Sequence, residues 1–162
     1  MPLVPSYIKN LASYKPGLRM DDVKRGKGLD QTIKLASNEN SMGPAPLAIA
    51  AIESAMQKVN RYPDATGTAL RTKLAKKFDV KIENVIIGAG SEGIMSNILR
   101  TFLLGDDEIV ASADSFIGFR VLANATGRSI HWVPMENHRI NLDGIAEKIN
   151  DYTKIIYIAN PD

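Results

Sequence analysis

The sequence predicts an α/β protein, a mostly parallel sheet with helices on both faces. Three observations carry that expectation. Short apolar runs of strand length stand at residues 84–88, 107–112, 129–134 and 154–159. Between them, apolar residues recur at three- and four-residue steps, the period of a helix packed by one face. Each connection is long enough for the crossover that parallel strands require.

Taken in order, the first 45 residues carry Pro and Gly punctuation around one apolar pulse at residues 33–36, and are expected to form an arm and loop without a core. From Pro46 the period turns helical, with Ile49, Ile52, Met56 and Val59 on one face. "NRYPDATG" ends that helix through Pro63 and Gly67, and "TALRTKLAKKF" (68–78) continues with Leu70, Leu74 and Phe78 in register. "NVIIG" (84–88) reads as the first strand, followed by a helix over 91–104. "DEIVAS" (107–112) is the next strand, then come a helix over 116–126 and the strand "SIHWVP" (129–134). A helix over 141–150 should be capped by Asn141 and bury Leu142, Ile145 and Ile149. The last strand is "KIIYIA" (154–159), whose apolar run from Ile155 to Ala159 leads directly into Asn-Pro-Asp. No internal repeat or low-complexity segment interrupts the pattern.

Composition excludes several classes of function. The length, 162 residues, is that of one ordinary domain. A net charge of +2, with no Lys/Arg run longer than Lys76-Lys77, gives no electrostatic footprint for nucleic acid. The absence of cysteine removes disulfides and thiolate metal sites and fits a reducing compartment. His131 and His138 lack carboxylates at ligand spacing, so no metal site is expected. Nothing resembles a secretory leader or approaches the ~20 apolar residues of a membrane span, so the expected location is cytoplasmic with no membrane partner.

In open parallel sheets, ligands gather at the carboxyl ends of the strands. The first such place is "IIGAGSEGIMSNIL", where small residues precede a helix opening near Ser91. Free backbone N–H groups and the helix dipole there suit an anion, most often a phosphate. Gly90 allows close approach of the backbone, and the Ser91 hydroxyl can donate to a phosphate oxygen. The same residues equally suit a tight turn with a helix cap. Gly88, Gly90 and Gly93 also spell the G-x-G-x-x-G of dinucleotide sites. That reading needs an acid at the end of the next strand, whereas Glu108 begins it and Asp114 stands beyond it. The second place is "ASADSFIGFRVLA", where Phe116 opens a helix and could stack on a planar ring, or simply join the core.

"LASNEN", "NRYPD", "GAGSEG", "DSFIGFRV" and "YIANPD" occur in this order. Together they resemble the histidinol-phosphate aminotransferases, over nearly the whole chain. The resemblance implies the aspartate-aminotransferase fold, fold type I of the pyridoxal 5'-phosphate enzymes, and only its first half. Residues 1–45 would be an N-terminal arm and substrate-side loop, and 46–162 the first part of the cofactor-binding large domain. The rest of that domain and a small C-terminal domain would lie outside the chain.

By the same resemblance, Gly90, Ser91 and Glu92 match the segment that holds the cofactor phosphate. Phe116 matches the aromatic, usually Tyr, that stacks on the pyridine ring. Tyr62 matches a tyrosine that crosses a homodimer interface to the partner's cofactor, and Asn38 lies in a loop bordering the substrate pocket. The implied activity moves an amino group between L-histidinol phosphate and 2-oxoglutarate in histidine biosynthesis. The Schiff-base lysine, the aspartate facing the pyridinium nitrogen and the carboxylate-binding arginine lie downstream in the family. No lysine here stands in a matching position; Lys154 begins a strand, at the end of the sheet away from the cofactor. The fragment alone is therefore expected to be inactive, with no catalytic residue of its own. Other readings are an aromatic aminotransferase or threonine-phosphate decarboxylase of the same fold, a NAD-dependent dehydrogenase, and a non-catalytic scaffold.

Overall fold

The computed structural model describes residues 3–12, 17, 19–28, 33–35 and 37–161. Ala36 of the apolar pulse and Asp162 of the closing Asn-Pro-Asp lie outside the described residues. The chain divides into two compact units, one of Met1–Tyr14 with Arg71–Asp162 and the other of Lys15–Leu70.

The leading segment, expected to be arm and loop, contains two short helices, α1 (Ser6–Lys9) and α2 (Met20–Lys27). Charge favours the second. Asp21 and Asp22 lie in its first turn and Lys24, Arg25 and Lys27 in its last, each sign opposing the nearer pole of the helix dipole. Gly28, at φ 61°, ends it in the left-handed conformation. Helix α3 (Pro46–Ala55) starts with Pro at its first turn, where no N–H is required, and a 3-10 turn extends it over Met56–Lys58. Its predicted inward face is not buried: Ile49, Ile52, Met56 and Val59 all remain exposed. Helix α4 (Thr68–Phe78) is entered through Asp64, which accepts hydrogen bonds from the N–H groups of Thr66 and Thr68 at 2.9 Å each.

Residues 84–88 do not form the expected strand. Val85 has extended dihedrals, φ −110° and ψ 118°, yet the segment pairs with no strand among the described residues. An apolar run becomes a strand only when a neighbour accepts its hydrogen bonds, and Ile86 stays 78% exposed. Arg71 of α4 serves the segment instead, its guanidinium donating to the carbonyls of Val85 and Ile82 at 2.8 and 2.9 Å.

The remaining elements follow the expected alternation: α5 (Gly90–Phe102), β1 (Glu108–Ser112), α6 (Ile117–Asn124), β2 (Ile130–Val133), α7 (Leu142–Lys148) and β3 (Thr153–Tyr157). The three strands are parallel in the order β2-β1-β3, with Ile109 opposite Ile130 on one side and Ile155 on the other. Alternate residues of β1 serve opposite faces of the sheet. Ile109 and Ala111 pack with Leu99 and Leu103 from α5 and its C-terminal cap, and with Phe119 and Ala123 of α6. Val110 packs with Val133 and Ile145 of α7. The sheet thus has helices on both faces, as the sequence predicts. Asn141 caps α7, its side chain accepting from the Gly144 N–H at 2.7 Å.

Candidate functional site

The strand order fixes where a ligand belongs. From β1 the chain crosses to β2 on one side, then returns past β1 to β3 on the other. Crossovers that diverge in this way open a crevice beyond the carboxyl ends of β1 and β3. The turn Ala113–Phe116 lies at that end of β1, and Ile158, Ala159 and Asn160 lie at that end of β3. Asn160 and Pro161 also border a cavity of about 370 Å³ with His138, Arg139 and Ile158.

Helix α5 opens with backbone donors that no side chain caps. Its N-cap residue, Ala89, has no side-chain hydrogen bond to the helix. The Gly90 N–H turns back to the Gly88 carbonyl at 2.9 Å. The N–H groups of Ser91 and Glu92 precede the first intrahelical hydrogen bond and meet no acceptor among the described residues. Gly90 has φ 69°, and open space surrounds the position a Cβ would take, so the chain turns there and an incoming group meets no side chain.

Phe116 is the N-cap residue of α6, and its ring is 41% exposed. The ring lies over the Cα of Gly118. A Cβ at Gly118 would stand 2.5 Å from Phe116 Cε1 and 2.6 Å from Glu92 Oε1. Glu92, on the first turn of α5, therefore meets the Phe116 ring at a point where only hydrogen fits. In the same turn, Ser115 Oγ is buried without a hydrogen-bond partner among the described residues, as is Ser112 Oγ at the end of β1. Two donors at a helix end and an aromatic ring partly open to solvent suit a planar ligand that carries a phosphate.

The structure thus brings Gly90, Ser91, Glu92 and Phe116 to one place. Asn38 and Tyr62 belong to the Lys15–Leu70 unit. Asn38 takes a left-handed φ of 51° in a loop pinned by Asn40, which accepts from the Met42 N–H and donates to the Gly43 carbonyl at 3.0 Å each. Tyr62 is fully exposed, its ring packed on nothing within its unit.

Glu108, the acid at dinucleotide spacing, lies at the amino end of β1. It accepts from Asn150 Nδ2 at 2.8 Å and pairs with His131 Nε2 at 2.7 Å. These bonds hold its carboxyl below the usual carboxylate range, the Asn150 contact contributing most. The whole length of β1 separates it from the crevice, so it cannot serve a ligand there. Sequence reasoning missed this pair because its members are far apart in the chain and meet only through strand register. It also missed Gly118 and Arg120, whose side-chain surroundings no local pattern encodes.

No protein-family model matches the chain. A curated histidinol-phosphate aminotransferase from Anaeromyxobacter sp. is 39% identical over 100% of this chain, which covers 45% of that relative. One from Carboxydothermus hydrogenoformans is 33% identical over 99% of the chain, covering 44% of the relative. The solved histidinol-phosphate aminotransferase from Sinorhizobium meliloti, in complex with pyridoxal-5'-phosphate, matches the whole chain with a TM-score of 0.83 at 24% identity, and 43% of that structure is covered. An archaeal alanine:glyoxylate aminotransferase matches 69% of the chain with a TM-score of 0.57. The chain spans less than half the length of the curated relatives it matches.

Proposed function

We propose, from a chain that has the fold-type-I aminotransferase architecture and is similar along its whole length to histidinol-phosphate aminotransferases, that these residues form part of the cofactor site of such an enzyme. The full reading is transfer of an amino group between L-histidinol phosphate and 2-oxoglutarate, in histidine biosynthesis, by a cytoplasmic homodimer. The observation that carries it is the meeting of the α5 N-terminus with Phe116 at the carboxyl end of β1.

Pyridoxal 5'-phosphate, when bound, supplies an electron sink for the bond broken at the substrate Cα. The backbone N–H groups of Ser91 and Glu92 and the Ser91 hydroxyl hold its phosphate, aided by the positive end of α5. Phe116 would lie against one face of its ring. A phenyl ring stacks without offering a hydroxyl. The exposed Tyr62 reaches the cofactor phosphate of a partner subunit, and Asn38 borders the substrate pocket. The lysine that carries the cofactor belongs to sequence beyond residue 162 in this reading, which leaves residues 1–162 without activity alone.

The test is borohydride reduction of the complete gene product with cofactor, followed by peptide mapping. The expected label falls stoichiometrically on one lysine outside residues 1–162, accompanied by transaminase activity with histidinol phosphate. Stoichiometric labelling of a lysine within residues 1–162 overturns the reading.

A further inference from the structure

Arg120 touches both ends of the turn that carries Phe116. Its side chain crosses the carboxyl end of β1, where Nη2 donates to the Ala113 carbonyl at 2.5 Å. Its guanidinium lies over the Trp132 ring of β2, 4.5 Å from the centroid. Its backbone N–H points at the Phe116 carbonyl at 3.5 Å, beside the stronger bond from the Phe119 N–H at 3.1 Å. The Ala113 N–H in turn donates to the Val133 carbonyl at 2.7 Å. Ala113 is thus fixed through both of its backbone groups, one to β2 and one to α6.

An arginine serving only solubility would extend into water. This one is half-buried, and its charge is matched by an aromatic face and a carbonyl dipole, with no carboxylate among its contacts with the described residues. The planar guanidinium can present a flat face to Trp132 and an N–H edge to Ala113 together, which a lysine ammonium cannot reproduce. The consequence falls on Phe116. With Ala113 held, the turn that carries Phe116 is fixed at one end, and the ring lies against Gly118, where a Cβ would clash with it.

We propose that Arg120 is a positioning residue of the cofactor site, acting through the Phe116 ring by clamping the Ala113–Phe116 turn against Trp132. The inference rests on the proposed role of Phe116 as the stacking residue. It assigns no contact between Arg120 and the cofactor. The effect is confined to the orientation of the ring and to the affinity that depends on it.

The experiment compares the complete holoenzyme with R120M, R120K, F116A and the double variant F116A/R120M. The readouts are cofactor dissociation constant, visible circular dichroism of the bound cofactor, and melting temperature without cofactor. R120M should weaken cofactor binding roughly tenfold and reduce the dichroism, with R120K between it and the parent. In the F116A background R120M should change neither, since contacting residues that act as one unit are not additive. Equal weakening by R120M in both backgrounds overturns the proposal, because Arg120 then acts on something other than Phe116. So does unchanged affinity in R120M while F116A loses it. If F116A itself binds cofactor as the parent does, the stacking role fails and the proposal fails with it. Should R120M not fold, R120K in the two backgrounds is read by the same criteria.

Discussion

Asp64 stands at the entrance of α4 and accepts hydrogen bonds from the Thr66 hydroxyl and from the N–H groups of Thr66 and Thr68. These bonds, led by that of the Thr66 hydroxyl, hold its carboxyl below the ordinary carboxylate range. Glu108 is lowered in the same direction by Asn150 and His131. A carboxyl whose folded pKa lies below its unfolded value of about 4 stabilises the fold above that value, and the contribution is lost as pH falls through the folded pKa. The complete protein should therefore lose stability below about pH 4, and D64N with E108Q should flatten that part of the curve in denaturant titrations. An unaltered slope in the double variant would show that other carboxyls govern the acid limb. At this scale the sequence was only partly legible. Phe116 and Ser91 stand out because their residue type and place beside a turn announce a chemistry. Arg120 does not, since its bond to the Ala113 carbonyl depends on α6 folding back over β1.

Among the elements, β1, β2 and β3 were legible because each is an apolar run whose neighbours are present to pair with it. Residues 84–88 have the same composition without such a neighbour, and the pattern of apolar residues cannot distinguish the two cases. Helix α2 was missed for the opposite reason: it buries nothing, and its signal lies in the charges of its first and last turns. The cap of α7 was readable, because Asn followed by an apolar helical period is a local chemical feature. Replacing Asn141 by Ala should cost about 1 kcal/mol, and by Asp or Ser much less. A chemical-denaturation series on the three variants measures this; equal losses in all three would mean that the side chain does not act as a cap.

For the molecule as a whole, the similarity runs along the whole chain and spans less than half of each of these relatives. One side of β3 pairs with β1, and no strand pairs with the other side among the described residues. Ile156 and Ile158 remain 46% and 43% exposed beside that open edge. The chain expressed as residues 1–162 should therefore associate through this edge, where no further strand among the described residues covers β3 and Ile156 and Ile158 stand exposed. Size-exclusion chromatography with light scattering at several concentrations decides the matter, and a stable monomer with one cooperative melt would count against it. The strand order has a further meaning in time. The centre strand, β1, is synthesised first of the three, but its partner on one flank, β3, follows about 45 residues later, which takes a ribosome a few seconds at ordinary rates. Throughout that interval Ile109, Val110 and Ala111, fully buried in the finished sheet, have a neighbour on one side at most. The nascent protein thus passes through a half-built stage whose duration is set by translation.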